Sequence, residues 1–220
     1  MAPKLVLYGP AQAPYTEKCR RGLILKGLDF ELHEPGCPED FKRWNPETGL
    51  LPVLTIDAER IIDSTQILLH IDALAPKPPL LSADPTVAEQ QRHLENWADE
   101  SFLYYFQRWT ALEQGRASEA PTRRPSSRLL RLAAWLRAGG TWERPHTAIL
   151  RSIDSRLADL VNFLGSRRFF YADAPSIADL AVYGILFTLR NDAIPGASPL
   201  LTRRPALVAF MARVEEVSGG

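Results

Sequence analysis

Pro52 stands inside Gly49-Leu-Leu-Pro-Val-Leu-Thr55, a run that otherwise reads as a strand, shortly before Asp63-Ser64-Thr65, which opens a helical pattern. Proline brings no N–H to a ladder, so within a sheet it belongs at an edge, at a bulge or at a special peptide bond. A cis Leu51-Pro52 bond meets that constraint. Such a bond turns the main chain of Leu51 outward, where its N–H and C=O can pair with an extended peptide. A helix start bearing the Ser64 hydroxyl and free backbone N–H groups can hold a carboxylate. Together the two segments describe a receptor for a small peptide. The plainer alternative is an edge strand followed by an ordinary helix cap.

The 220 residues allow one or two compact units with ample core: 45% are apolar, 24% charged, and 26 basic side chains balance 26 acidic ones. A neutral chain lacks the electrostatic footprint of a nucleic-acid binder. No basic amphipathic segment points to a membrane surface, and no apolar run approaches the length of a bilayer span. The opening Met-Ala-Pro-Lys-Leu-Val-Leu-Tyr has no charged region followed by an apolar core, so the expectation is a soluble cytoplasmic protein. Cys19 and Cys37 are too few for a disulfide scaffold and have no metal-ligand spacing with the four histidines, so no metal is expected. Cys19 falls in a helical pattern and reads as a small buried residue, whereas Cys37 sits in Pro35-Gly-Cys-Pro38, read as a loop.

Residues 4–8 alternate with large apolar groups, 14–26 show helical recurrence and 30–33 are extended again, giving a β-α-β unit whose right-handed crossover makes its strands parallel. Residues 52–56 and 60–62 then flank Asp57-Ala-Glu59 as a hairpin, and 64–73 return to helical spacing. The expected domain is an α+β, β-α-β-β-β-α layout over 1–76. Prolines stiffen a linker at 77–85, and 86–220 lacks convincing strands. Helices are expected there over 87–113, 127–137, 147–164, 177–189 and 206–217. A polar stretch at 114–126 reads as a loop, with a lid as the alternative, and the arginines at 116, 123, 124, 128, 131 and 137 read as a solvated positive face.

This order of elements resembles the cytosolic glutathione transferase family nearly end to end, a thioredoxin-like first domain followed by an all-α second one. Asn45-Pro-Glu-Thr-Gly-Leu-Leu-Pro-Val-Leu54 resembles the family's segment around its cis-proline. Asp63-Ser64 resembles its acidic-residue-plus-serine pair at a helix start. Tyr171-Ala-Asp-Ala-Pro-Ser-Ile-Ala-Asp-Leu-Ala-Val-Tyr183 resembles its helix-capping segment and is the most specific of the three. The last also has its own physical reading as a capping box in which Ser176 and Asp179 satisfy each other's backbone donors, a structural device rather than a catalytic one.

The resemblance implies glutathione as co-substrate, with the main chain of Leu51 beside Pro52 pairing with the cysteinyl part of the tripeptide and Asp63 and Ser64 holding its γ-glutamyl end. Asp63 stands where glutamate is usual, Ala13 stands where many relatives place serine or cysteine before the helix-opening proline, and Leu50 replaces a usual lysine. Ala13 disfavours mixed-disulfide chemistry and leaves two sources of thiolate stabilisation. One is the N–H groups of Tyr15 and Thr16 at the start of the first helix. The other is the hydroxyl of Tyr8, where other classes of the family carry a catalytic tyrosine; a strand tyrosine packing its ring against the core is the alternative for that residue. The electrophile pocket is expected between domains, lined by Ala13, Tyr15, Tyr104, Tyr105 and Arg108. The expected activity is conjugation of glutathione to a small hydrophobic electrophile by a homodimer joined through the third and fourth helices. The competing readings are a non-catalytic ligand-binding or interaction protein and a glutathione-dependent isomerase or ether-cleaving enzyme.

Overall fold

Alternation of Leu5 and Leu7 with Val6 and Tyr8 lets β1 (Leu5–Tyr8) bury one face under helices and offer the other to a second layer. The computed structural model describes residues 3–115 and 145–219. In chain order the first half holds β1, α1 (Pro14–Leu25), β2 (Glu31–His33), α2 (Pro38–Trp44), β3 (Val53–Ile56), β4 (Glu59–Ile62) and α3 (Ser64–Leu74). The sheet order is β2-β1-β3-β4. β1 runs parallel to β2 and antiparallel to β3, with Leu7 opposite Leu54, and β3 pairs antiparallel with β4, with Leu54 opposite Ile61. This is the mixed four-stranded sheet of a thioredoxin-like domain.

The second half holds α4 (Pro85–Glu113), α5 (Pro145–Leu164), α6 (Ile177–Arg190), α7 (Ser198–Thr202) and α8 (Pro205–Val217). The expected helix over 127–137, the polar stretch from 116 onward and the arginines assigned to a positive face lie outside the described residues. Two elements escaped the sequence reading. The seven-residue α2 starts at once after Cys37, so the expected loop at 35–37 leads straight into a helix, with Cys37 at its N-cap. The five-residue α7 is too short to show a period. The β3–β4 turn is also tighter than expected, since Glu59 already pairs with Ile56 and Asp57 takes φ 53° in the turn.

The first core packs Leu5, Leu7 and Leu54 from the sheet against Cys19 and Leu23 of α1 and Ile67, Leu68 and Ile71 of α3. Ile177 and Leu180, from the start of α6, complete this same core. The helical half's own core runs through Ala98, Phe102, Ile153, Leu157, Tyr183, Leu186 and Phe210. Helices α1 and α6 approach so closely that a Cβ on Gly184 would lie 2.3 Å from the Pro14 carbonyl oxygen. The capping device has its expected partners in enlarged form: the Asp179 carboxylate accepts the N–H and O–H of Ser176 and also the N–H of Phe170, at 2.7–2.8 Å. Asp179 thus ties the approach loop to the first turn of α6, directly under the seam between the two halves.

The seam carries polar fasteners as well. The Arg21 guanidinium donates to Glu17 on its own helix and to Ser218 Oγ and the Gly219 carbonyl at the end of α8, and it lies over the Tyr183 ring. Lys26 meets the Asp72 carboxylate and the Pro78 carbonyl, which holds the connector between α3 and α4 against the first half. Among the described residues no helix is long and apolar enough to cross a membrane.

Candidate functional site

The loop leading into β3 is tied to itself. Asn45 donates through Nδ2 to Thr48 Oγ1 (2.7 Å) and to the Leu50 carbonyl (2.8 Å), and the Gly49 N–H returns to the Asn45 carbonyl (2.8 Å). Gly49 adopts φ 69°, a conformation that strains any residue with a Cβ. This knot delivers Leu51 and Pro52 to the strand entrance, and the bond between them is cis.

Across a cleft of about 440 Å³ from Leu51 and Pro52 lies the start of α3, with Asp63 and Ser64 in its wall. Asp63 is the N-cap: its Oδ1 accepts the N–H groups of Thr65 and Gln66, both at 3.0 Å. That leaves the N–H of Ser64, the first residue of the helix, outside the cap's own bonds. Asp63 also has φ 75°, a left-handed geometry that costs a non-glycine residue roughly 1–3 kcal/mol and collects at functional sites. The positive end of the α3 dipole, the Ser64 hydroxyl and this strained cap therefore meet at one end of the cleft.

The opposite wall comes from the helical half. Asp99, Leu103 and Gln107 form an i, i+4 stripe along α4 with Glu100 beside it, and Tyr15 enters from α1. The Tyr15 hydroxyl donates to the main-chain carbonyl of Asp99 at 3.0 Å, and burial, reinforced by the carboxylates of Asp99, Asp63 and Glu95, raises its pKa, so it stays a protonated donor. The Asp99 carboxyl is raised to about 6, chiefly by burial, against the attraction of Lys18. Its Oδ2 accepts from Lys18 at 2.8 Å, while its Oδ1 is buried and has no partner among the described residues. One end of the cleft thus offers donors suited to a carboxylate and, facing them, carboxylates suited to an ammonium.

Of the residues singled out in the sequence, Leu51, Pro52, Asp63, Ser64 and Tyr15 are brought together in this cleft. The structure does not bring Tyr8 to its wall. Tyr8 lies on the sheet face opposite Leu7, with its ring against Trp44 at 4.9 Å and His33 at 5.4 Å between centroids. Ala13 is the N-cap of α1 and has no side chain to cap with. Tyr105 is packed in the helical core, and Tyr104, 54% exposed, accepts from Arg108 on the outer side of α4. The expected pocket face of α4 is therefore one residue out of phase: positions 99, 103 and 107 line the cleft where 104, 105 and 108 were expected. A usable signal existed in Glu95 and Asp99, two carboxylates at i, i+4 beside the apolar stripe of Leu94, Ala98 and Phe102, which a core-facing helix does not carry without a partner. Cys19 is fully buried, burial raises its pKa, and its thiol lies 3.7 Å from the Ser64 carbonyl, so it stays an inert core thiol. No group of three or more His, Cys, Asp or Glu among the described residues is placed to hold a metal ion.

Comparison with known proteins decides the family. Residues 7–79 match the model of the glutathione S-transferase N-terminal domain and residues 145–213 that of the C-terminal domain. The chain belongs to the glutathione transferase family. A glutathione S-transferase of Arabidopsis thaliana, Z2, is 38% identical over 88 residues, a match covering 37% of this chain and 39% of that protein's length. FtsZ-localized protein A of Caulobacter vibrioides is 29% identical over 180 residues, covering 77% of this chain and 72% of the relative. Among solved structures, a rice glutathione transferase in complex with glutathione shares the fold with a TM-score of 0.71 at 20% identity, covering 98% of this chain and 87% of that one. As a member of this transferase family, the chain has its cleft where the first domain's strand entrance faces the helical domain.

Proposed function

We propose that this transferase-family chain binds glutathione in the cleft and joins its thiolate to a small hydrophobic electrophile. The observation that carries the reading is the juxtaposition, within one cavity, of the Leu51 main chain beside Pro52 and the Asp63–Ser64 helix start. The tripeptide's cysteinyl part would lie against Leu51 as an added strand, with its γ-glutamyl carboxylate on Ser64 and its α-ammonium toward Asp63. Leu103 and Leu50, the latter 70% exposed, supply an apolar wall for the electrophile. Leu50 brings no charge to the glycine carboxylate, which fits weak affinity for the tripeptide.

A free thiol with a pKa near 8.5 is mostly protonated at neutral pH, so the anion needs stabilisation. The first-turn N–H groups of α1 at Tyr15 and Thr16 are the donors this reading uses, and helix-end stabilisation of about 0.3–1 kcal/mol is less than the roughly 1.4 kcal/mol that moves a pKa by one unit. Turnover is therefore expected to be slow. In the reaction the sulfur forms a C–S bond, the leaving group departs with the electron pair of its bond to carbon, and the thiol proton passes to solvent. The enzyme is proposed to work as a cytoplasmic homodimer through α3 and α4.

A non-catalytic member of the family is the second reading. Two observations favour it: at the start of α1 Tyr15 gives its hydroxyl proton to Asp99 and Ala13 has no polar side chain, and one relative over most of the chain is named for its localisation with FtsZ. Conjugation of glutathione to chlorodinitrobenzene separates the two. An enzyme releases chloride faster than the uncatalysed reaction and loses that rate in Ser64→Ala; a binding protein takes up glutathione with no acceleration.

A further inference from the structure

Lys18 projects from the middle of α1 into the seam between the two halves, behind the cleft rather than in it, with 1% of its side chain exposed. Its ammonium reaches oxygens on two helices. On α3 these are Ser64 Oγ at 3.3 Å and Thr65 Oγ1 at 3.4 Å; on α4 they are Glu95 Oε1 at 2.5 Å and Asp99 Oδ2 at 2.8 Å. Enclosing one cation with two carboxylates offsets the cost of burying it. That accounts for its contacts on α4 but not for the one with Ser64.

An ammonium is a donor only, so at that contact Ser64 Oγ accepts, and the hydroxyl proton must be given to another group. Thr65 gives its own proton to Glu95 Oε1. Ser64 lines the cleft, and no acceptor for its hydroxyl is found on the protein side of that wall among the described hydrogen bonds. We infer that Lys18 is a positioning residue of the carboxylate subsite: by donating to Ser64 Oγ it aims the serine O–H into the cleft and sets a buried positive charge one hydrogen bond behind the ligand's α-carboxylate. The same ammonium holds the Asp99 carboxylate on the α4 side, where it faces the ligand's ammonium. A zwitterionic amino-acid end is thereby read in one orientation. Ser64 is the residue that touches ligand; Lys18 acts through it, and the polarised O–H is a stronger donor than a free hydroxyl.

This inference rests on the glutathione reading, and its test keeps the two apart. Calorimetry compares glutathione with 4-aminobutyryl-cysteinyl-glycine, the same tripeptide without the α-carboxylate, on wild type and on Lys18→Met/Glu95→Gln, which removes both buried charges together. Wild type is expected to prefer glutathione by at least tenfold, and the double variant by less than threefold. A purely structural Lys18 would weaken both peptides alike and leave the preference unchanged, which would overturn the inference while the glutathione reading stands. Wild type that binds neither peptide would overturn the reading beneath it and the inference with it. Should the double variant not fold, the 15N signal of the Lys18 ammonium in wild type decides: a shift with glutathione and none with the analogue supports the role, and equal shifts, or none with either, overturn it.

Discussion

At the scale of single residues, Asp99 links the cleft to stability. Its carboxyl titrates at about 6 in the folded chain against an ordinary 3.8, because burial outweighs the pull of Lys18. A proton held more tightly when folded favours the folded state in acid, and that contribution is lost as pH rises between those two values. Asp99→Asn is expected to flatten the pH dependence of unfolding in this window, by up to about 3 kcal/mol for a shift of some two pH units. Denaturant titrations at both ends of the window check it; an unchanged slope would assign the acid-side stability elsewhere, with Asp179, raised by burial to about 7, the first candidate. Asp63 combines two jobs that mutation can separate. Asn keeps the cap and Ala does not, so Asp63→Asn should retain stability while weakening glutathione, whereas Asp63→Ala should also cost about 1 kcal/mol in folding. For Tyr8, with its ring held between Trp44 and His33, Tyr8→Phe is expected to change the conjugation rate less than threefold. A tenfold loss would restore its hydroxyl to the thiolate.

At the scale of elements, legibility follows period and length. β1, α1 and α4 are long or regular enough to show in their spacing, and their observed ends differ from the expected ones by two residues or fewer. The short α2 and α7 carry less than two turns each, so neither builds a recognisable stripe. The cleft was readable where it depends on local chemistry, at Leu51-Pro52 and Asp63-Ser64. It was misread on α4, because which stripe of a long helix faces a partner depends on how α4 lies against α1 and α6, and its aromatic residues drew attention to 104, 105 and 108 when 99, 103 and 107 face inward. The closeness of α1 and α6 was equally invisible, since Gly184 shows its reason only when the Pro14 carbonyl is in place. Gly184→Ala is expected to destabilise by about 1–3 kcal/mol through overpacking against main chain, read as a lowered Tm. A neutral result would mean that the two helices can separate cheaply. Ser176→Ala should cost roughly 0.5–2 kcal/mol, more than a surface cap does, because it removes one of the donors to a buried carboxylate under the same seam.

At the scale of the whole molecule, the two halves are joined by shared core, by ion pairs and by the cleft itself. Ile177 and Leu180 of the helical half sit in the first core, Arg21 reaches the end of α8, and Lys18 gathers α3 and α4. A ligand spanning Leu51, Ser64 and Asp99 would touch both halves at once, so its binding should raise the melting temperature, and go on raising it with the logarithm of ligand concentration above Kd. The proposed ligand is glutathione, and the departures at Ala13 and Leu50 leave affinity and turnover as the quantities to measure. The most direct test is calorimetric titration of the folded wild-type chain with glutathione. The account predicts saturable binding with a Kd of about 1 mM or tighter, weakened at least tenfold by Ser64→Ala; absence of any binding heat up to about 10 mM glutathione would contradict it.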